Sequence, residues 1–359
     1  MRIQIGDLQL GMCLVLALGV GGNLWAGDLT PPAGPIAPTM KALDIVEPRI
    51  PLPDPAAAAR GPGLLIAAPG SYFLVADVVG VAGAAGITID ASDVTLDLNG
   101  FSVIGVPGSL DGIVVLPVGG GLDQTNISIF NGIVRDWGED GVDAIDAANS
   151  QVYDLRVSNN DGDGIRLGVG GVITRCVANT NAAAGEDGIE IGGVGLVSHC
   201  TLFQNDVGIR AGLGSTVEHC SISAVTLGGI IAAENTTIRN CTLSFVFDLS
   251  GGGTGGGINV GSGCRVVGNL VNTGPILGGA DGIRVGGTGN EIKDNTVRII
   301  GMGISGIEVT AAGNLIVGNS VTSAGALVSY AIVAGNTAGP IVDAATIAGS
   351  MNPHANYDY

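Results

Sequence analysis

Apolar and polar residues alternate in short stretches along most of the chain, and these stretches recur. A typical one is Asp187-Gly188-Ile189-Glu190-Ile191, in which an acid and a glycine precede an apolar–polar–apolar run. Alternation with a period of two is the pattern of a β-strand with one buried face. The glycine–apolar step recurs from Gly112 to Gly306 at intervals of 20 to 29 residues. Repeats of this length predict a solenoid, in which each turn of the chain stacks on the previous one.

A second pattern follows the first on successive repeats. An apolar residue is followed, three positions later, by a position that is cysteine on four repeats and asparagine on three. These residues are Cys176, Cys200, Cys220, Cys241, Asn269, Asn295 and Asn319. We expect them to form one inward-facing column, in which the asparagine side chains hydrogen-bond to each other along the axis.

Five cysteines follow the N-terminal segment, and an odd number does not suggest a disulfide framework. Stacked parallel strands would hold neighbouring thiols ~4.8 Å apart, which is beyond the usual Cβ separation of a disulfide, roughly 3.5–4.5 Å. We therefore expect free, buried thiols. Zinc is the alternative, because His199 and His219 adjoin Cys200 and Cys220. Consecutive strand residues point to opposite faces, however, and this disfavours a shared ion.

Composition agrees with a thin, layered core. The 359 residues include 63 glycines and only 4% aromatic residues, so small β-branched side chains must fill the interior. The net charge of −18 excludes a basic stripe for nucleic acid, whereas divalent cations and neutral or cationic ligands are compatible with it. Mean hydropathy is +0.48, but after the N-terminus no apolar run reaches the ~18 residues of a spanning helix, and no spanning membrane segment is expected.

The chain divides into four parts. An apolar segment after Arg2, ending near Ala26, resembles an export signal and predicts a secreted, cell-surface or periplasmic protein. The predicted parts are a signal peptide at 1–26, a proline-rich linker or strap at 27–63, a solenoid at 64–350 and a C-terminal tail at 351–359. Residues 64–86 are predicted to form an N-terminal cap, since the first turn of a solenoid has no neighbour below it. Longer repeats predict loop insertions at Pro117–Asp123 and Phe247–Gly257.

Several motifs identify a family resemblance. They are Ala37-Pro38-Thr39-Met40-Lys41, Val46-Glu47-Pro48-Arg49-Ile50-Pro51, Gly70-Ser71-Tyr72, Thr95-Leu96-Asp97-Leu98-Asn99-Gly100-Phe101 and Pro353-His354-Ala355-Asn356. Together with the repeats, they resemble right-handed parallel β-helix proteins of the pectin-lyase-like superfamily, and more narrowly an exported bacterial family without a settled activity. The resemblance implies an all-β, single-stranded, right-handed parallel β-helix of about ten turns with an N-terminal cap. It implies little about function.

The polar residue after the glycine–apolar step should face solvent, and its charge alternates on four consecutive turns. These candidate catalytic residues are Asp143, Arg166, Glu190 and Arg210. Asp143 and Glu190 lie two turns apart, about 9.6 Å by strand spacing, close to the carboxyl separation of an inverting glycosidase, roughly 6.5–9.5 Å. The superfamily resemblance also implies that an arginine can act as the base of a lyase. The alternative is a ladder of salt bridges that stabilises strand register.

An acid also recurs at the corner before each strand. Asp140, Asp163 and Asp187 should stack on consecutive turns, where three like charges repel unless a cation bridges them. They are therefore candidate metal ligands, with calcium as the possible ion and no other cofactor expected. The alternative is that they accept hydrogen bonds from turn amides.

These features favour a non-catalytic protein that binds glycan or cell-envelope material, with polysaccharide as the partner. The second hypothesis is a polysaccharide lyase or glycoside hydrolase acting at the outer face, and the third is a structural exoprotein. The sequence blocks Asn-Thr-Asp and Gly-His-Gly, which the resemblance associates with polygalacturonases, are absent from the chain, and this weakens the enzyme hypothesis.

Overall fold

The structure, a computed structural model, describes residues 49–53, 63–118, 123–181, 185–247, 255–274, 280–300, 305–324 and 328–359. The predicted signal peptide at 1–26 and most of the proline-rich segment lie outside these residues. Both predicted loop insertions also fall partly outside them, at 119–122 and 248–254.

The described residues contain 38 short β-strands and one 3-10 helix, Ile347–Gly349. In chain order the strands are β1 Ile50–Leu52, β2 Leu64–Ile66, β3 Gly70–Leu74, β4 Val78–Val79, β5 Ile87–Ile89, β6 Val94–Asp97, β7 Ser102–Ile104, β8 Ile113–Val115, β9 Gln124–Thr125, β10 Ser128–Arg135, β11 Val142–Ala144, β12 Ala147–Ala148, β13 Gln151–Ser158, β14 Ile165–Leu167, β15 Val172–Thr174, β16 Val177–Asn179, β17 Asp187–Ile191, β18 Leu196–Ser198, β19 Thr201–Phe203, β20 Val207–Ala211, β21 Thr216–Glu218, β22 Ser221–Ser223, β23 Gly228–Ala232, β24 Thr237–Arg239, β25 Thr242–Val246, β26 Gly256–Val260, β27 Arg265–Val267, β28 Leu270–Thr273, β29 Asp281–Val285, β30 Glu291–Lys293, β31 Thr296–Ile299, β32 Ser305–Val309, β33 Leu315–Val317, β34 Ser320–Ser323, β35 Val328–Ile332, β36 Thr337–Ala338, β37 Ile341–Asp343 and β38 Asn356–Asp358. No described helix is long and apolar enough to cross a membrane.

Two long parallel sheets run the length of the solenoid. Sheet one has twelve strands, stacked in the order β2, β5, β8, β11, β14, β17, β20, β23, β26, β29, β32 and β35. Sheet two has 24 strands, and most turns contribute two of them. Twelve strands in sheet one make eleven steps, so the solenoid has about eleven turns. The prediction of an all-β parallel solenoid is confirmed, with about one turn more than expected.

Both ends of sheet two are covered by strands from outside the regular repeats. At the first turn, β1 pairs in parallel with β3, and this strand comes from the proline-rich segment. Residues 64–86, predicted to form a cap, form a turn whose strands pair in both sheets. At the last turn, β38 from the tail pairs with β34 and β37. The hydroxyl of Tyr330 fixes this strand by bonding to the carbonyl oxygens of Asn319 and Tyr357, each at 2.9 Å.

A two-residue bend separates the two strands that a turn contributes to sheet two, for example His199 and Cys200 between β18 and β19, and its first residue is the bend residue. The residue at the bend has a positive φ, for example +55° at His199 and +54° at His219. This left-handed conformation turns the bend residue outward and the next residue inward. The two imidazoles accordingly stack outside with centroids 5.0 Å apart, while Cys200 and Cys220 are buried inside. The histidines and thiols therefore face opposite sides, which argues against the zinc alternative.

The column of cysteine and asparagine is present as predicted. The thiols of Cys200 and Cys220 lie 3.9 and 3.8 Å from carbonyl oxygens of the turn below. Hydrogen bonding to the neighbouring thiol, together with burial, raises the pKa of each to about 12. Farther along, the backbone and side-chain nitrogens of Asn269 both donate to Oδ1 of Asn295 at 3.0 Å. Asn295 continues the series to Asn319 in the same way.

Two other asparagine columns line the interior at different corners, and the repeat pattern alone did not identify them. One comprises Asn160, Asn181 and Asn205, and the other comprises Asn290, Asn314 and Asn336. In each column, an amide oxygen accepts the backbone N–H of the equivalent residue one turn away. Buried corners of the solenoid thus satisfy their backbone donors with neutral amides.

Candidate functional site

The polar residues after the glycine–apolar steps form one column on the outer face of sheet one. Asp143 pairs with Arg166, and Arg166 pairs with Glu190. Glu190 in turn pairs with Arg210. The next position is Ile231, where the alternation of charge ends. Parallel pairing of identical repeats therefore brings together the four residues singled out as candidate catalytic groups.

Arg166 is the centre of this column. Its Nη1 lies 3.2 Å from Oδ2 of Asp140 and 3.5 Å from Oδ2 of Asp143. Its Nε lies 3.3 Å from Oδ2 of Asp163 and 2.9 Å from Oε2 of Glu190. Burial alone lowers the pKa of Arg166, but the hydrogen bond to Glu190 and the nearby carboxylates outweigh it and raise the pKa above its ordinary value. A permanently charged guanidinium thus holds four acids together.

Arg210 is bound to a different acid. Its Nε and Nη2 donate to Oδ2 and Oδ1 of Asp187 at 2.6 and 2.9 Å, which is a bidentate pair. Asp187 is 3% exposed, and burial raises its pKa to about 6 although Arg210 opposes this rise. Arg210 therefore neutralises a buried corner acid, whereas Arg166 is shared among several carboxylates.

The corner acids also bond to the backbone of the next turn. Oδ1 of Asp111 accepts the N–H of Asp140 at 3.0 Å, and Oδ1 of Asp140 accepts the N–H of Asp163 at 2.7 Å. Oδ1 of Asp163 accepts the N–H of Asp187 at 2.5 Å. These bonds agree with the alternative in which the acids satisfy turn amides. Calcium bound by Asp140, Asp163 and Asp187 stays a prediction.

Burial shifts the protonation of this corner strongly. It raises the pKa of Asp111 to about 6 and that of Asp163 to about 8. Asp281, at the equivalent corner of a later turn, shows the same effect with a pKa of about 7. The nearby carboxylates add to each rise, while bonds from backbone N–H groups oppose it. Asp163 therefore holds a proton at neutral pH, whereas Asp111 takes one up only in mildly acidic solution.

An open depression lies beside Arg166, with a volume of about 440 Å³. Its lining residues are Asp111, Gly138, Glu139, Asp140, Asp143, Asp161, Gly162, Arg166 and Glu186. One carboxylate oxygen from each of Asp111, Asp140 and Asp143 lies within 4.8 Å of the other two, a spacing that can hold a metal ion. Asp163 and Asp187 are not in this group of three. The structure thus groups Asp140 with Asp143, which faces outward on the same turn, and with Asp111, the corner acid of the preceding turn.

Asp111 is the member of the site that sequence reasoning did not select. It belongs to the same series of Asp-Gly corners as Asp140, which was a signal available in the sequence. Its repeat is longer than the others, 29 residues to the next glycine–apolar step, so its alignment with Asp140 was less evident. Pairing of β8 with β11 shows that the two corners stack.

Comparisons with known proteins agree with this fold. Residues 77–223 match the family model of the right handed beta helix region. No curated protein matches the sequence significantly.

Several solved structures are similar in fold, among them a phage tailspike protein and an epimerase module. The tailspike protein of the E. coli bacteriophage HK620, solved in complex with a hexasaccharide, aligns with a TM-score of 0.59 and 15% identity. The alignment covers 84% of this chain but only 65% of the tailspike chain. The A-module of a mannuronan C-5 epimerase from Azotobacter vinelandii aligns with a TM-score of 0.52 and 11% identity, over 75% of this chain and 90% of the module. At these identities the likeness concerns the fold, and it shows that the chain is a right-handed parallel β-helix protein.

Proposed function

We propose that the protein binds polysaccharide in the acidic depression on the outer face of sheet one. The observation that carries the proposal is the group of Asp111, Asp140 and Asp143 beside Arg166, in which Asp111 and Asp140 lie at stacked corners and Asp143 and Arg166 lie on the paired strands β11 and β14. Carboxylates accept hydrogen bonds from sugar hydroxyls, and a guanidinium donates them. A site built on strands is also well preorganised for a ligand.

The similar structures give independent support. One is a tailspike solved with a hexasaccharide, and the other is a mannuronan C-5 epimerase module. Both have the same type of solenoid. The predicted export of this protein would bring such a site into contact with extracellular or cell-envelope polysaccharide.

The charge of the depression selects the class of glycan. Six acids line it with only one arginine, so a polyanionic chain is repelled. Neutral glycans, or glycans with amino groups, avoid this repulsion. We therefore assign a neutral or cationic polysaccharide to the site.

Binding is tested with the full chain on an array of neutral, amino and acidic glycans, followed by calorimetry with each glycan that binds. Asp143→Asn removes a charge at the depression and should weaken binding at least tenfold. The control is Glu218→Gln, which removes an acid from the outer face of sheet two, where Glu218 pairs with Arg239. If no neutral or amino glycan binds, or if both variants bind like the wild type, the proposal is wrong.

Hydrolysis of the bound glycan is the second candidate function, and one observation favours it. Burial raises the pKa of Asp111 to about 6, so Asp111 can hold a proton in mildly acidic solution, while Asp143 lies 3.5 Å from Arg166. Two carboxyl groups with different environments can act as acid and nucleophile. Their close approach, within 4.8 Å between oxygens, is shorter than the roughly 6.5–9.5 Å of an inverting mechanism and nearer to the about 5–5.5 Å of a retaining one. A lyase with Arg166 as base is disfavoured, since the pKa of Arg166 is raised.

Hydrolysis predicts that reducing ends appear when the protein is incubated with the glycan that binds. Asp111→Asn keeps an oxygen that can accept the N–H of Asp140, but it cannot donate a proton as an acid. It should abolish cleavage and leave binding within about threefold of the wild type. If wild-type protein releases no reducing ends from a glycan that it binds, the function is binding alone.

A further inference from the structure

The C-terminal end of the solenoid carries exposed apolar side chains. They are Val328, Val333, Ile341, Ile347, Met351 and Tyr359. A solenoid usually needs a terminal repeat with a polar outer face in order to stay soluble. The C-terminal end of the described chain lacks a polar outer face of this kind. We therefore expect another surface to cover its exposed apolar side chains.

The last turn also leaves a sheet edge without a neighbour. Within the described residues, β35 is the terminal strand of sheet one, and it pairs only with β32. The tail strand β38 closes sheet two instead. An edge strand presents backbone donors and acceptors that can pair with another chain.

A largely apolar depression of about 460 Å³ lies beside this end. It lies over the outer face of sheet two on the last turns, and the tail forms one wall. Its apolar lining includes Leu315, Val317, Ala338 and Pro340, the tail contributes Asn352 and His354, and the charged residues Glu291 and Lys293 of opposite sign lie at the side formed by the earlier turn. The depression can therefore accept an apolar side chain.

The most exposed apolar residue of the described chain adjoins this depression. Met351 is 97% exposed and directly precedes Asn352 in the wall. A protruding apolar side chain and a depression that can accept it thus lie side by side on one surface. A twofold interface requires such a self-complementary surface, because each chain supplies the same patch.

The distribution of charge along the chain also favours contact between two copies at the C-terminal end of the solenoid. The chain has a net charge of −18, so two copies repel each other over most of their surfaces. Residues 315–359 contain no lysine or arginine and only two acids, Asp343 and Asp358. Two copies can therefore approach each other at this end with little repulsion.

We propose that two copies of this chain associate through their C-terminal ends, with Met351 of each copy inserted into the depression of the other. The interface buries the exposed apolar residues of the last turn and brings the two β35 edges close together. It is separate from the acidic depression on sheet one, so dimerisation leaves both proposed glycan sites open.

Sedimentation velocity of the full chain tests the proposal over a range of concentrations. One chain has a mass of 35.5 kDa, so a dimer has twice that, 71 kDa. Met351→Glu should raise the dissociation constant at least tenfold, since it puts a charge into an apolar depression. Leu213→Glu is the matched control, because Leu213 is 53% exposed at a corner far from this end, and it should not change the mass distribution.

Cross-linking tests the arrangement itself. In a Cys13→Ser background, chains with Met351→Cys are mixed with chains carrying Ala338→Cys and then oxidised. The mixture should form disulfide-linked dimers, and either variant alone should form several-fold fewer. A monomer at all concentrations, a dimer that is unchanged by Met351→Glu, or equal cross-linking without mixing would each overturn the proposal.

Discussion

The stability of this protein should fall as pH rises from mildly acidic to mildly alkaline, and Asp163 is the main cause. Asp163 is 5% exposed and lies between Asp140 and Asp187 on adjacent turns. Burial, together with the neighbouring acids, raises its pKa from 3.8 to about 8. Arg166 approaches it at 3.3 Å but shares one positive charge among four carboxylates, so it cannot prevent the rise.

The direction in which stability changes with pH follows from the number of protons that the folded and unfolded states bind. In the unfolded chain Asp163 has its ordinary pKa, so between that value and about 8 the folded state binds more protons than the unfolded state. The stabilisation from this proton is complete at low pH and is lost as pH rises through the folded pKa. The slope is at most about 1.4 kcal/mol per pH unit for one group, which gives on the order of 2–3 kcal/mol between about pH 5 and about pH 7.

Urea unfolding followed by circular dichroism at a series of pH values measures this slope. Asp163→Asn is the decisive variant, because its amide oxygen can still accept the N–H of Asp187 but has no proton to lose. The variant should lose the share of the slope that one group contributes, at most about 1.4 kcal/mol per pH unit between about pH 5 and about pH 8, while Asp111, Asp187 and Asp281 keep theirs up to their own pKa values. It should also be the more stable of the two at the alkaline end.

A matched control is Asp154→Asn. Asp154 is an exposed partner of Arg175, and the hydrogen bond from Arg175 lowers the pKa of Asp154. Its contribution is present above the ordinary pKa of an aspartate and is lost only in more acidic solution, so this variant should keep the wild-type slope above about pH 5. The reasoning is refuted if wild-type stability is constant or rises over this range, or if Asp163→Asn keeps the full slope.

Three other outcomes are expected. Asn295→Ala removes side-chain hydrogen bonds to Asn269, Val266 and Asn319 and should destabilise the protein by about 3–5 kcal/mol in urea unfolding, and a change below about 1 kcal/mol would contradict this. Cys200 and Cys220 have pKa values of about 12 and are buried, so a thiol reagent should label them only after unfolding, and rapid labelling of the native protein would contradict this. Calcium binding by the corner acids predicts a higher melting temperature in calcium than in chelator, and equal values would exclude it.

The fold could be predicted from the sequence because the solenoid repeats one structural unit. A residue at a given position of each turn must stack on its equivalent, so the spacing of glycine–apolar steps determined both the sheets and the column from Cys176 to Asn319. The same logic predicted that Asp143, Arg166, Glu190 and Arg210 form one column, and strand pairing confirms it.

The contacts of the site could not be predicted in the same way. Register determines which backbone positions are adjacent, but a long side chain can reach acids on its own turn and on the turns on either side. Arg166 contacts Asp163 on its own turn, Asp140 on the turn before and Glu190 on the turn after. The sequence pattern treated the corner acids and the outward column as two separate sets, whereas Arg166 joins them.

The corner acids themselves are the best reason to regard this face as a site. Elsewhere in the protein the same structural task, accepting a backbone N–H from the adjacent turn, is performed by neutral asparagines such as Asn181 and Asn295. Beside sheet one it is performed by Asp111, Asp140 and Asp163, although burying several like charges together is unfavourable. Asparagine would accept these bonds without the electrostatic penalty, so stability alone does not explain the aspartates. Departures from local stability rules concentrate at functional sites, and a ligand that needs carboxylates on this face accounts for the departure.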